Sequence, residues 1–162
     1  PRLLVTAAAA PAPTTPARLI VSDVRRNEGS PASRLKTLSY IDNVLAREQA
    51  RARGADEAVM LNNRGEVACA GAANLFWVRG GEIITPDLAC GALDGIMRAR
   101  VLDAAHGLGL ACSQVRCGLE KMLAADSVFL TNSLIGVRVV SGVEASVYRA
   151  SDLVASLSAA IA

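Results

Sequence analysis

Aromatic residues make up 3% of the 162-residue chain, and histidine occurs once. No apolar run reaches the ~18 residues that a membrane helix needs. Each scarcity excludes something. With a net charge of +2, no basic block and no aromatic platform, a nucleic-acid role is not expected. The four cysteines, Cys69, Cys90, Cys112 and Cys117, contain no C-x-x-C pair, and the one histidine, His106, falls inside a helical pattern. Neither a metal site nor a disulfide framework is therefore expected. No basic-then-apolar leader is visible in the chain as given, so cytoplasm is the expected location, with no membrane partner.

Lysine is scarce in a more telling way. Of 17 basic residues only Lys36 and Lys121 are lysines, the rest being arginines. A skew that general reflects coding bias, so a lysine that persists against it is informative. A primary amine condenses with an aldehyde, which a guanidinium does not do.

The length suits one domain of roughly modal size, ~100–150 residues. Arg2 to Thr6 alternates weakly and predicts a strand. Ala7 to Pro16 is a low-complexity Ala/Pro/Thr segment, and residues 1–18 are taken together as a flexible linker ahead of a domain at 19–162. Leu19 to Val24 predicts a strand. A helix is expected from Ser33 to Arg53, with Leu35, Leu38, Ile41 and Leu45 on its buried face and Lys36 in its first turn. There the positive helix end is expected to lower the amine's pKa from its usual ~10.4. Glu57–Leu61 and Glu66–Cys69 predict a hairpin around Asn62-Asn63-Arg64-Gly65. Strands follow at Asn74–Val78 and Glu82–Thr85, then a helix opened by Asp94-Gly95. Further strands are predicted at Cys112–Val115, Val128–Thr131, Val137–Val140 and Ala145–Tyr148. Short helices are predicted at Leu119–Ala125 and after a capping Ser151. Strands alternate with helices, which predicts an α/β domain with a mixed sheet.

Three separated motifs carry a resemblance. Lys36-Thr37-Leu38-Ser39-Tyr40, the run Ala72-Ala73-Asn74-Leu75-Phe76-Trp77 with Gly95-Ile96-Met97-Arg98, and Phe129 to Leu134 together resemble the class-IV aminotransferases, the fold-type IV pyridoxal-phosphate (PLP) enzymes. Within that family they are most similar to the 4-amino-4-deoxychorismate lyases. The resemblance implies the C-terminal large domain of that fold, a mixed sheet flanked by helices. Since the chain begins at Pro1 and family members are longer, it also implies that the small N-terminal domain is absent. It implies a homodimer acting on a small amino substrate, either as the lyase that forms 4-aminobenzoate and pyruvate on the route to folate, or as an amino-acid transaminase of the D-amino acid or branched-chain type. A catalytically silent PLP-binding or scaffold homologue is the other class in play.

By the same resemblance Lys36 is the PLP-binding and catalytic lysine. Gly95, Ile96 and Met97 at one helix start, with Asn132 and Ser133 at a strand-to-helix turn, form the phosphate cup. Cys69 is a departure. It occupies the place where the family carries a glutamate that pairs with the ring nitrogen, and a thiol is a weak partner at best. Glu66, three residues earlier on a strand, points to the opposite face unless a bulge intervenes. Arg98 reads as a solvated helix residue with a smaller chance of meeting a substrate carboxylate. Tyr40 reads either as a cofactor contact or as a core aromatic, and His106 as structural.

Overall fold

Two strands are buried on both faces. The runs Asn74–Arg79 and Ser127–Asn132 are buried at five successive positions each, around the apolar centres Leu75–Val78 and Val128–Leu130, and that pattern suits the middle of a sheet covered on both sides. The computed structural model describes residues 3–9 and 13–161. In chain order they form β1 (Ala17–Val21), a 3-10 turn at Pro31–Arg34, α1 (Ile41–Ala52), β2 (Glu57–Leu61), β3 (Val67–Ala70), β4 (Asn74–Arg79) and β5 (Glu82–Pro86). A 3-10 turn at Leu88–Cys90 leads to α2 (Ile96–Gly107), β6 (Cys112–Val115), α3 (Leu119–Leu123), β7 (Ser127–Asn132), β8 (Gly136–Val143), β9 (Ser146–Val147) and α4 (Asp152–Ala160).

The strands form one nine-stranded mixed sheet in the order β3-β2-β1-β8-β7-β4-β5-β6, with β9 on β8. β1 runs parallel to both β2 and β8, and β5 parallel to β6; the other pairs are antiparallel. The sheet curls until its ends meet, where the Val67 amide donates to the Cys117 carbonyl at 2.9 Å and Glu66 bridges Gly118. Inside the curl lie Leu19, Val59, Trp77, Met122 and Leu130. Outside it, α2 and α4 cover Phe76, Phe129 and Ile83, the two rings stacking at 5.0 Å. α1 covers Ala58 and Met60 with Ala46 and Ala50.

This is the expected α/β architecture, with departures in detail. Residues 3–9 form no strand: Leu3, Leu4 and Val5 are exposed with no neighbouring strand to pair with, and Arg2 lies outside the described residues, as do positions 10–12 of the low-complexity segment. The first strand starts at Ala17 and stops at Val21.

The helix expected from Ser33 is broken. Leu35 is extended (φ −108°, ψ 141°), and short turns follow, in which the Ser39 amide donates to Thr37 Oγ1 and the Tyr40 amide to the Leu38 carbonyl. These local bonds compete with helix formation, so α1 begins only at Ile41. Its orientation is also reversed. Leu35, Leu38, Ile41 and Leu45 are exposed, while Asn43, Ala46 and Ala50 face the sheet. Small side chains let the helix lie close against β2.

Ser133 sits in a turn between two strands, β7 and β8, and opens no helix. Ser151 does occupy the N-cap of α4, yet its side chain makes no capping bond.

Candidate active site

The elements converge on one cavity of about 560 Å³, within the ~300–1,000 Å³ usual for small-molecule sites. Its floor is Cys69 to Asn74, where β3 passes into β4. One wall is the segment from Leu35 through Asn43 with Arg26 behind it. The other is the start of α2 from Leu93 to Met97, together with Asn132 to Leu134 of the β7–β8 turn. Lys36, Cys69, Gly95, Ile96, Met97, Asn132 and Ser133 all line it, from four parts of the chain that only the fold brings together.

Lys36 is exposed in the loop ahead of α1 and not, as expected, in a first helical turn. Its Nζ lies 5.9 Å from the centre of the Tyr40 ring. Tyr40 is half-buried and lines the cavity, and its hydroxyl donates to the Gly71 carbonyl at 3.0 Å.

Gly95 caps α2 with an extended backbone and no side chain, leaving the first amides of the helix, at Ile96 and Met97, without capping partners. A methyl group on Gly95 would collide with Asn74 Oδ1, so glycine is needed for this close approach. Asn74 itself donates to the Leu93 carbonyl at 2.8 Å. Across the cavity the Asn132 amide makes three bonds: Oδ1 accepts from the Leu134 and Ile135 amides, and Nδ2 donates to the Ala72 carbonyl at 2.8 Å. Asn132 shapes the turn, and Ser133 is the residue there with a hydroxyl to offer.

Arg98 departs from expectation. It is 3% exposed rather than solvated, donating to the Pro86 carbonyl and Gln114 Oε1 and facing Asp94 at 3.5 Å. It ties the start of α2 to β5 and β6. His106 is exposed in the last turn of α2, away from the cavity.

Cys69 is buried, and burial pushes its thiol up to about 11, with Arg26 opposing and Glu57 adding to the shift. The thiol is therefore neutral near pH 7. An irregularity in the β2–β3 register pairs Met60 with Cys69 but Leu61 with Val67, so simple alternation fails between Glu66 and Cys69. Glu66 still does not reach the cavity. It is held by Asn62, Arg64 and Arg116, which bring its carboxyl down to about 2.

Arg26 and Asn43 are lining residues that sequence reasoning missed. Arg26 donates to the Gly91 carbonyl at 3.0 Å, to Asn43 Oδ1 at 2.8 Å and to the Ser33 carbonyl at 2.7 Å, while Asn43 Nδ2 donates to the Gly71 carbonyl at 2.8 Å. A polar residue at a buried helix position was the one available signal, and the assumed leucine face hid it.

The model of the family described as amino-transferase class IV matches residues 1–143. The chain belongs to that family. It is 34% identical over 117 residues to the aminodeoxychorismate lyase of Bacillus subtilis (strain 168), covering 72% of this chain and 40% of that protein. The branched-chain aminotransferase of Thermoproteus uzoniensis, solved with norvaline, superposes with a TM-score of 0.88 at 29% identity over 91% of this chain and 50% of that one. A T.th. branched-chain amino acid aminotransferase complexed with N-(5'-phosphopyridoxyl)-L-glutamate gives 0.83 at 32% identity over 88% and 50%. The chain thus spans about half the length of these two structures and 40% of the lyase.

Class-IV aminotransferases use pyridoxal phosphate. The donor set of this cavity fits it: an amine at Lys36, an uncapped helix start held close by Gly95, and the Ser133 hydroxyl opposite.

Proposed function

We propose that this chain is the cofactor-holding part of a pyridoxal-phosphate enzyme that acts on a small amino substrate. The observation that carries the reading is the meeting of Lys36 with the uncapped start of α2 in one cavity. When bound, the cofactor supplies an aldehyde that condenses with amines and a ring that draws electrons from the bonds next to the captured nitrogen. The chain's residues bind and orient. The Ile96 and Met97 amides and the Ser133 hydroxyl would hold the phosphate, and the Lys36 amine would engage the aldehyde and serve as the proton carrier of the site. Tyr40 and the backbone around Gly71 form the wall beside it.

The substrate we favour is 4-amino-4-deoxychorismate, split into 4-aminobenzoate and pyruvate. The motif Ala72–Trp77 and the similarity to the B. subtilis lyase support it. The superpositions on branched-chain aminotransferases support amino-acid transamination as the second reading. The remaining walls of the site would come from chain outside 1–162 and from a second copy. Borohydride reduction of the PLP-loaded full-length protein, followed by peptide mapping, is expected to place the pyridoxyl group on Lys36; a label on Lys121 overturns the assignment. Pyruvate release without an added keto acid identifies the lyase, and amino transfer dependent on a keto acid identifies the transaminase.

A further inference from the structure

The ionisable side chains lining the cavity are Arg26, Lys36, Tyr40, Cys69 and Asp94. Asp94 is the one carboxylate among the described lining residues. It stands on the exposed lip at the start of α2 and pairs with Arg98 at 3.5 Å. A second carboxylate, Glu57, lies behind the wall: its Oε1 accepts from the Ala58 amide at 3.0 Å, it faces Arg47 at 3.6 Å, and it is not among the lining residues.

Arg26 is the opposite case. It is 8% exposed, and its three bonds all end on neutral oxygens, two backbone carbonyls and the Asn43 amide. Among the described residues no carboxylate pairs with it. A buried guanidinium without a counter-ion raises the local potential strongly, because the low dielectric of the interior screens little. Cys69 lies within its influence and is a protonated thiol, a weak donor and a weaker acceptor.

A ring nitrogen keeps an added proton inside a protein only where an anionic acceptor takes the new N–H and offsets the charge. The groups that line the cavity at this wall are a cation and a neutral thiol; the Glu57 carboxylate, which also acts on Cys69, stands behind them and is engaged by Arg47 and the Ala58 amide. We propose that the cavity holds the ring of its pyridoxal phosphate with the nitrogen unprotonated, Arg26 disfavouring the cation and Cys69 leaving it without an anionic partner. The inference rests on the cofactor assignment made above. Its consequence is a weaker electron sink, suited to a step with a strong inherent driving force, such as one that forms an aromatic ring.

Two measurements on the full-length protein decide it. With pyridoxal phosphate carrying nitrogen-15 in the ring, the chemical shift is expected to be that of a bare pyridine at neutral pH, and to move toward the protonated value in Cys69→Glu. The second needs no variant. An analogue with C–H in place of the ring nitrogen is expected to bind within about threefold of pyridoxal phosphate, whereas loss of a charge-assisted bond would cost roughly ten- to a hundredfold. A protonated shift in the unsubstituted protein, or a large loss with the analogue, overturns this inference and leaves the cofactor assignment standing. Failure of both compounds to bind overturns both together.

Discussion

Asn43 spends both ends of its amide on the cavity wall, accepting from Arg26 and donating to the Gly71 carbonyl, with 2% of its surface exposed. Asn43→Ala leaves a guanidinium N–H unpaired in the interior and takes one of two donors from Gly71. A loss of roughly 2–4 kcal/mol is expected, measured as a lower urea midpoint at unchanged slope. Asn43→Asp keeps an acceptor for Arg26 while turning an oxygen toward the Gly71 carbonyl, so its loss should be smaller. This network was illegible in the sequence because its links are long-range: Arg26 reaches 17 residues ahead to Asn43 and 65 ahead to Gly91. The Asp94-Gly95 helix start was legible for the contrary reason, because its signal lies in the local turn. Lys36 was singled out by residue type, while its place in a first helical turn was misread.

At the scale of elements, α1 separates hydrophobicity from burial. The leucine stripe that predicted its inner face is outside, and alanines carry the contact with β2. A larger residue at Ala46 or Ala50 has no room against Ala58 and Met60. Ala50→Leu is therefore expected to destabilise the protein by about 1–3 kcal/mol. Leu45→Ala on the exposed stripe should stay within about 0.5 kcal/mol in a monomeric sample. Thermal melts followed by circular dichroism rank the two, and the reverse order would mean that α1 packs by its leucines. Gly95→Ala is expected to push the start of α2 away from Asn74, so phosphate and pyridoxal phosphate binding should weaken more than the melting temperature falls. Titration of both ligands checks it. The strands were easier to read than the helices, since β4 and β7 carry the apolar runs Leu75–Val78 and Val128–Leu130 at their centres. A break such as Leu35–Tyr40 depends on side-chain-to-backbone bonds too weak to stand out in a periodic pattern.

For the molecule as a whole, Glu66 fastens the two ends of the curled sheet, with Arg64 on its own side and Arg116 beyond β6. Its carboxyl is lowered from 4.5 to about 2 in the folded state, first by the Asn62 bond and then by the two arginines. Such a group stabilises the fold above its unfolded pKa, and that contribution fades as pH falls from about 5 toward 2. Melting temperature should decline over that window, and Glu66→Gln should flatten the decline while lowering stability near neutrality. The pairing of β1 with β8 joins Ala17 to Val140, almost the full span of the sheet. During synthesis the hairpins β2–β3 and β4–β5 are available early, yet one edge of β1 and one of β7 wait for residues 136–143 to leave the ribosome. A nascent chain halted before that point presents two open strand edges in the middle of its own sheet. Open edges of that kind invite pairing with other chains, and an arrest-peptide force profile is expected to record their closure only after β8 has emerged.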